Sequence, residues 1–270
     1  MQSLSDNPEY TIDSGSRQLM NMGELWKYRE LFYFFTWRDI KIKYKQTVLG
    51  FLWAIIQPVL MMAIFTLFFG HALNVPSQNI PYPVFVFSGL LLWNLYSTGL
   101  SSSANSMVSN SHIIKKIYFP RLIVPVSSVL VALFDFVMAL CLFIVLLIYY
   151  QQAVDLSALW LWPTGILITL IATLGPGTWI AALNVKYRDF RYVIPFLIQV
   201  LFFLTPVIYP IGMLEHEILQ YIVAISPMYA AIELFRIPIV NESPDLLLIG
   251  ISAISSILFL IGGLFYFKKN

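Results

Sequence analysis

Between Leu156 and Leu214 the only charged residues are Lys186, Arg188, Asp189 and Arg191, and they are interleaved with Tyr187, Phe190 and Tyr192. A short turn with aromatics and both signs of charge has the chemistry of a docking surface for another protein. Basic residues alone would anchor membrane topology, but Asp189 contributes nothing to that rule. A second constellation lies in SMVSNSHIIKKIYFPRLIVP, Ser106 to Pro125. There Ser109 or Ser111 would cap a short helix carrying Ile113, Ile114, Ile117 and Tyr118 with Lys115 and Lys116, and Pro120 would end it. Its apolar side chains need a cover, either lipid or a cytosolic partner. The third candidate is Asp135, the sole ionisable residue well inside a predicted span. An intramembrane carboxylate either lines a conduit and titrates, or sits protonated or hydrogen-bonded at a helix interface.

Other chemistries lack their residues. No GxxxxGK[ST] motif occurs, so the chain is not built to cradle nucleotide phosphates itself. His71, His112 and His216 are scattered without ligand spacing, and Glu215-His216-Glu217 reads as an exposed outer turn. The single cysteine, Cys141, provides neither a disulfide framework nor a cysteine metal site. An intramembrane aspartyl protease would need a second acid beside Asp135. A lipid-linked glycosyltransferase would need acidic loop residues, and the loops on the basic side offer only Asp189.

The elements that must position these residues follow from composition. Of 270 residues 59% are hydrophobic and 11% charged, with a mean hydropathy of +0.78. A soluble domain carries about 25% charged residues, so part of the solvent must be lipid. Six stretches approach the roughly 20 apolar residues of a spanning helix: about 51–70, 84–100, 122–149, 159–183, 193–210 and 246–267. The second and fifth are short. Thr173 to Thr178, TLGPGT, places Pro176 inside the fourth, where it removes a backbone bond and predicts a kink. Residues 1–22 read as a disordered tail in the compartment of synthesis, not a cleavable signal peptide.

Residues 23–48 predict an amphipathic interface helix. Leu25, Tyr28, Phe32 and Phe35 recur at helical spacing, while Arg38, Lys41 and Lys45 share a face suited to anionic headgroups. Leu49-Gly50 would turn the chain into the first span. With the N-terminus inside, every one of the 16 lysines and arginines except Arg236 falls on the cytoplasmic side, and both termini lie there. The 21 Phe, 15 Tyr and 7 Trp divide between interfacial belt, as for Trp53, Trp93 and Trp160, and surfaces on which sugar C–H faces could stack.

Four blocks taken in order make the chain recognisable: WRDIKIKYKQTVLGFLWAIIQPVLMM, SNSHIIKKIYFPRLIVPVSS, LNVKYRDFRYVIPFLIQ, and TPVIYP followed by SPMYAAIELFR. They resemble the permease subunit of bacterial polysaccharide ABC exporters, ABC-2 type proteins that move lipid-linked O-antigen, capsular polysaccharide or teichoic acid. The O-antigen exporters look closest. The resemblance implies an all-α polytopic membrane protein, with residues 49–270 forming six transmembrane helices behind the interface helix. It implies a homodimer in the bacterial inner membrane above two cytosolic ATPase subunits, which would bind the ATP and Mg; no cofactor is expected in this chain, and no nucleic-acid partner. Its substrate would be an undecaprenyl-pyrophosphate-linked polysaccharide.

Carried over by residue, Ser111, Ile113, Ile114, Lys115, Lys116, Ile117, Tyr118, Phe119 and Arg121 would form the main ATPase-coupling element. Tyr187, Arg188, Asp189, Phe190 and Arg191 would form a second contact. Leu49-Gly50 would join the interface helix to the first span where the polymer comes in, with Arg38, Lys41 and Lys45 attracting the pyrophosphate. Residues 211–245 would form short re-entrant helices gating the outer side. The proline in LGPG departs from the family pattern. Two other classes were weighed. A membrane-embedded enzyme of lipid or glycan metabolism would need a convergent acid–base or metal cluster. An ion-coupled secondary transporter would need several ionisable groups at midplane, and Asp135 is one.

Overall fold

The computed structural model describes residues 22–45, 52–187, 189–240 and 244–269, and among these it is helical with no β-strand. The tail and Leu49-Gly50 lie outside the described residues, as does Arg188. Helices α1 (Met22–Lys27) and α2 (Arg29–Lys45) form the predicted interface segment, broken at Tyr28. Helix α3 (Leu52–Phe65) continues as a π-helical stretch, Thr66–Ala72, and only Pro58 of α3 is buried. Helix α4 (Tyr82–Ser109) is the axis of the bundle and is buried along most of its length, as befits a helix apolar on every side from Val84 to Leu92.

Helix α4 is longer than the short second span expected from 84–100. The SSSANSMVS stretch extends the helix because its polar groups bond back along it. Ser106 Oγ donates to the Ser103 carbonyl at 2.6 Å and Asn105 Nδ2 to that of Ser101 at 2.9 Å. A single turn, α5 (Ser111–Ile114), follows, then α6 (Ile123–Tyr149) and α7 (Leu161–Lys186). Helix α7 runs unbroken from Leu161 to Lys186, through the LGPG stretch at which a kink is expected. Of its glycines, Gly175 serves contact with α11 (Leu246–Lys269), while Gly177 meets Ser103 of α4. A Cβ on Gly263 would stand 2.0 Å from the Gly175 carbonyl oxygen, and one on Gly175 would stand 2.6 Å from the Leu260 nitrogen. Small residues let membrane helices approach this closely.

The expected fifth span is also different. Helix α8 (Phe190–Leu204) has 15 residues, a rise of about 22 Å against a hydrocarbon core of about 30 Å. It stops because Pro206 pushes Thr205 out of helical geometry, to φ −89° and ψ 137°. Irregular backbone in a membrane must find its hydrogen bonds within the protein. Here Arg236 supplies them. It lies in α10 (Tyr229–Val240), is 1% exposed, and donates to the carbonyls of Pro206 at 2.9 Å and Val207 at 2.6 Å. It also donates to Phe85 O and Ser88 Oγ of α4, both at 3.3 Å, and its guanidinium stacks 3.8 Å over the Phe85 ring. Tyr82 adds a hydroxyl donor to Ile208 O at 2.9 Å.

The segment 211–245, expected to form short re-entrant helices, holds α9 (Glu217–Ala224) and α10, which bend by 104°, a geometry shared by a broken span and a re-entrant pair. Three serines of α11 satisfy the corner. Ser255 donates to Ile225 O at 2.8 Å, Ser252 to Ser226 O at 2.6 Å, and Ser256 to Pro227 O at 2.9 Å. Among the described residues five helices are long and apolar enough to cross a membrane, or six if the bent pair counts as one span.

Four substitutions test this packing. Gly263→Ala should lower the detergent melting temperature, by about 1–3 kcal/mol of stability, because backbone cannot yield to the new methyl. Gly262→Ala, where a Cβ meets nothing within 4 Å, should leave it unchanged or raise it slightly. Arg236→Met should cost about 3–5 kcal/mol, seen as loss of monodisperse protein, because three carbonyls lose their donor; Arg236→Lys should fall between, since one ammonium cannot span the same fork.

Candidate functional site

The apolar stripe predicted on the interface segment faces protein. Phe35 is buried with Met107, Phe119, Ile123, Val124 and Ala181, and Leu25, Tyr28 and Phe32 pack against that cluster with Ile113, Ile114 and Phe267. This small core gathers α1, α2, α5, the start of α6 and the ends of α4, α7 and α11 at one end of the bundle. Asn184 near the end of α7 ties in by donating to Ala104 O and Asn105 Oδ1, both at 3.1 Å. The basic residues of those segments therefore share one face.

On that face the coupling candidates divide. Ile113 and Ile114 are half-buried and Phe119 is buried, its ring 5.6 Å from that of Phe35. Ser111 is half-buried, whereas Lys115, Lys116 and Arg121 are exposed, with Ile117 60% and Tyr118 70% exposed. Neither serine caps the helix, which ends at Ile114 well before Pro120; Asn110 precedes it without a side-chain capping bond. Asn110 has another task, accepting from Arg38 at 2.6 Å. Arg38 also pairs with Asp39 at 2.7 Å, so it is committed to protein and only Lys41 and Lys45 of the predicted trio stand exposed. A cleft of about 660 Å³ lies beside this link, lined by Arg38, Ser101, Ser102, Asn105 and His112 among others.

The second contact opens at the end of α7. Tyr187, Asp189 and Arg191 are exposed and Phe190 half-buried. The Tyr187 and Phe190 rings stand 6.4 Å apart, and the Lys186 ammonium lies 5.2 Å over Tyr187. The two loops thus offer exposed cations and aromatic faces.

Asp135 is neither solitary nor remote from the interface helix. Its carboxylate pairs with Lys43 and accepts the Tyr44 hydroxyl, so the end of α2 is fastened to α6. Burial pushes the Tyr44 hydroxyl above its ordinary range, and the Asp135 bond and charge push it further, which keeps it a donor. Sequence reasoning missed Lys43 and Tyr44. The usable signal was the cost of an intramembrane carboxylate, which demands a cation within reach. It also missed Arg236 and Glu233, an i, i+3 pair at 3.9 Å inside the bundle; the signal was Arg236 standing alone off the basic side.

Residues 30–240 match the ABC-2 type transporter family. The O-antigen export system permease protein RfbA of Myxococcus xanthus is 35% identical over 207 residues, 76% of this chain and 78% of that protein. A protein of the same name from Klebsiella pneumoniae is 29% identical over 249 residues, 92% of this chain and 94% of its own. The polysialic acid transport protein KpsM of Escherichia coli is 22% identical over 207 residues, 74% and 77% of the two chains.

Removing the Lys43 ammonium while keeping the Asp135 carboxylate should be the worst local change. Lys43→Met should destabilise the purified protein, Asp135→Asn should be mild because Tyr44 keeps its acceptor, and the double variant should recover most of the loss. Thermal unfolding of the four proteins should give a coupling of about 1 kcal/mol, held down by the partial exposure of Lys43.

Proposed function

We propose, because this chain belongs to the ABC-2 type transporter family, that it is the permease subunit of an ATP-driven exporter moving a lipid-linked, O-antigen-type polysaccharide across the bacterial inner membrane. The observation that carries the reading is the match to O-antigen export permeases along nearly the whole chain. It is a membrane transport subunit, not an enzyme; ATP and Mg are bound by a separate subunit. In the working assembly two copies pair above two such ATPases, with both termini cytoplasmic and the undecaprenyl-pyrophosphate end drawn toward Lys41 and Lys45.

The mechanism is mechanical. ATP-driven closure of the partner pushes on Lys115 to Tyr118 and on Tyr187 to Arg191. Displacement of the coupling turn is felt by α2 through the Phe35–Phe119 contact and the Arg38–Asn110 bond. Helix α2 passes it to α6 at Asp135. The spans of the two copies then part enough for a glycan to pass between them, with Asp135 near its path.

Tagged protein solubilised in mild detergent from its native host should bring down a Walker-motif ATPase at equal stoichiometry. Lys115→Glu/Lys116→Glu, or Tyr187→Ala/Phe190→Ala, should release that partner and stop export while membrane insertion stays normal. Full export by both variants would sink the docking assignment, and a chain that purifies alone would sink the exporter reading.

A further inference from the structure

A crevice of about 270 Å³ lies between the end of α2 and helices α3, α4 and α6. Three of its lining side chains are polar groups on membrane spans: Gln57 of α3, and Asn94 and Thr98 of α4. None of the three makes a side-chain hydrogen bond in the structure. Hydrocarbon offers them no partner, and two carboxamides and a hydroxyl from facing helices, all unpaired, converge on one space. The backbone contributes to the same space. Pro58 has no N–H to return to the Ala54 carbonyl, and both residues line the crevice.

The charge state of the crevice narrows the ligand. Its one cation, Lys43, and its one carboxylate, Asp135, are paired with each other. A phosphate or pyrophosphate would need an uncommitted cation, and the crevice offers none. Carboxamides both donate and accept, which suits a neutral ligand whose hydroxyls do the same. Trp53, half-exposed at the crevice, supplies an aromatic face whose negative π surface attracts polarised C–H groups. The volume falls just below the roughly 300 Å³ at which pockets for drug-sized molecules begin, room for one sugar ring and not for a length of polymer.

We propose that this crevice is a monosaccharide subsite, in which Gln57, Asn94 and Thr98 hydrogen-bond one uncharged sugar unit of the exported glycan while Trp53 covers its C–H face. The assignment rests on the polysaccharide-exporter reading. Helix α3 forms one wall and has only Pro58 buried, so the subsite has a side that can part to admit and release the sugar.

Benzoylphenylalanine placed at Ala54 in the full chain, and at Leu60 on the exposed side of the same helix away from the crevice as control, is irradiated in living host cells. The denatured, purified chain is then oxidised with periodate and labelled with a hydrazide, which reports vicinal diols of any sugar. A periodate-positive adduct at Ala54 and not at Leu60, weakened roughly tenfold by Asn94→Leu in a chain of unchanged membrane abundance, is the result expected. A phospholipid adduct, or no adduct, in cells that export polysaccharide normally would overturn the subsite and leave the exporter reading standing. Surface polysaccharide that is unchanged when the chain is deleted would remove both.

Discussion

Backbone that leaves the helix inside a bilayer must find its hydrogen bonds within the protein, and in this chain one guanidinium meets that requirement. Arg236 reaches three carbonyls and a serine hydroxyl from a position with almost no solvent access. The carbonyls of Pro206 and Val207 belong to the segment that ends α8, and Phe85 and Ser88 belong to the central helix α4. The same side chain therefore permits the irregular TPVIYP stretch and seats α10 against the axis of the bundle. Gly89 follows from it: a Cβ there would come within 2.6 Å of the guanidinium nitrogen. Glu233, one turn away, offsets part of the charge. Remove the guanidinium, and α8, α10 and the bend before α10 lose their common reference point.

The α9–α10 corner shows the same constraint met by different chemistry. Its backbone is satisfied by hydroxyls of Ser252, Ser255 and Ser256, which recur along the face of α11 turned to the bend. Helix α11 is in turn held to α7 by the Gly175–Gly263 approach. Rigid contacts thus run from α4 through α7 and α10 to α11. Helix α3 and the π-helical stretch after it pack on this block through Met62, Phe65 and Phe69 but leave apolar side chains such as Leu60, Ile64 and Phe68 exposed. Lipid covers these, or a second copy does in the proposed dimer.

At the basic end the architecture has another character. A modest apolar core around Phe35 and Phe119 holds α1 and α2, the α5 turn and the ends of four spans. Two polar ties, Arg38–Asn110 and Lys43–Asp135, then connect the interface helix to the turn on one side and the interior on the other. A push on exposed Lys115–Tyr118 meets a connected set of contacts, which suits a permease driven from outside its own chain. The monosaccharide subsite would lie directly beyond the second of these ties.

What the sequence determined by itself was whatever depends on local composition. Apolar length set the four long spans near residues 52, 123, 161 and 246, because a helix in lipid needs only a sufficient run of apolar side chains. The distribution of lysine and arginine placed the interface helix and the two loops on one face, and four motif blocks carried the family. Tertiary structure decided everything that turns on a partner distant in the chain. The apolar stripe of Leu25, Tyr28, Phe32 and Phe35 meets protein where lipid was equally compatible with its spacing. In LGPG, Gly175 lets α11 lie directly against α7, a use of glycine that spacing alone does not reveal. The irregular stretch after α8 is tolerated because Arg236, far along the chain, satisfies its carbonyls. A charge's purpose in a membrane is set by the group it pairs with, and Asp135 with Lys43, like Arg236 with Val207, is a pairing that only the fold brings about.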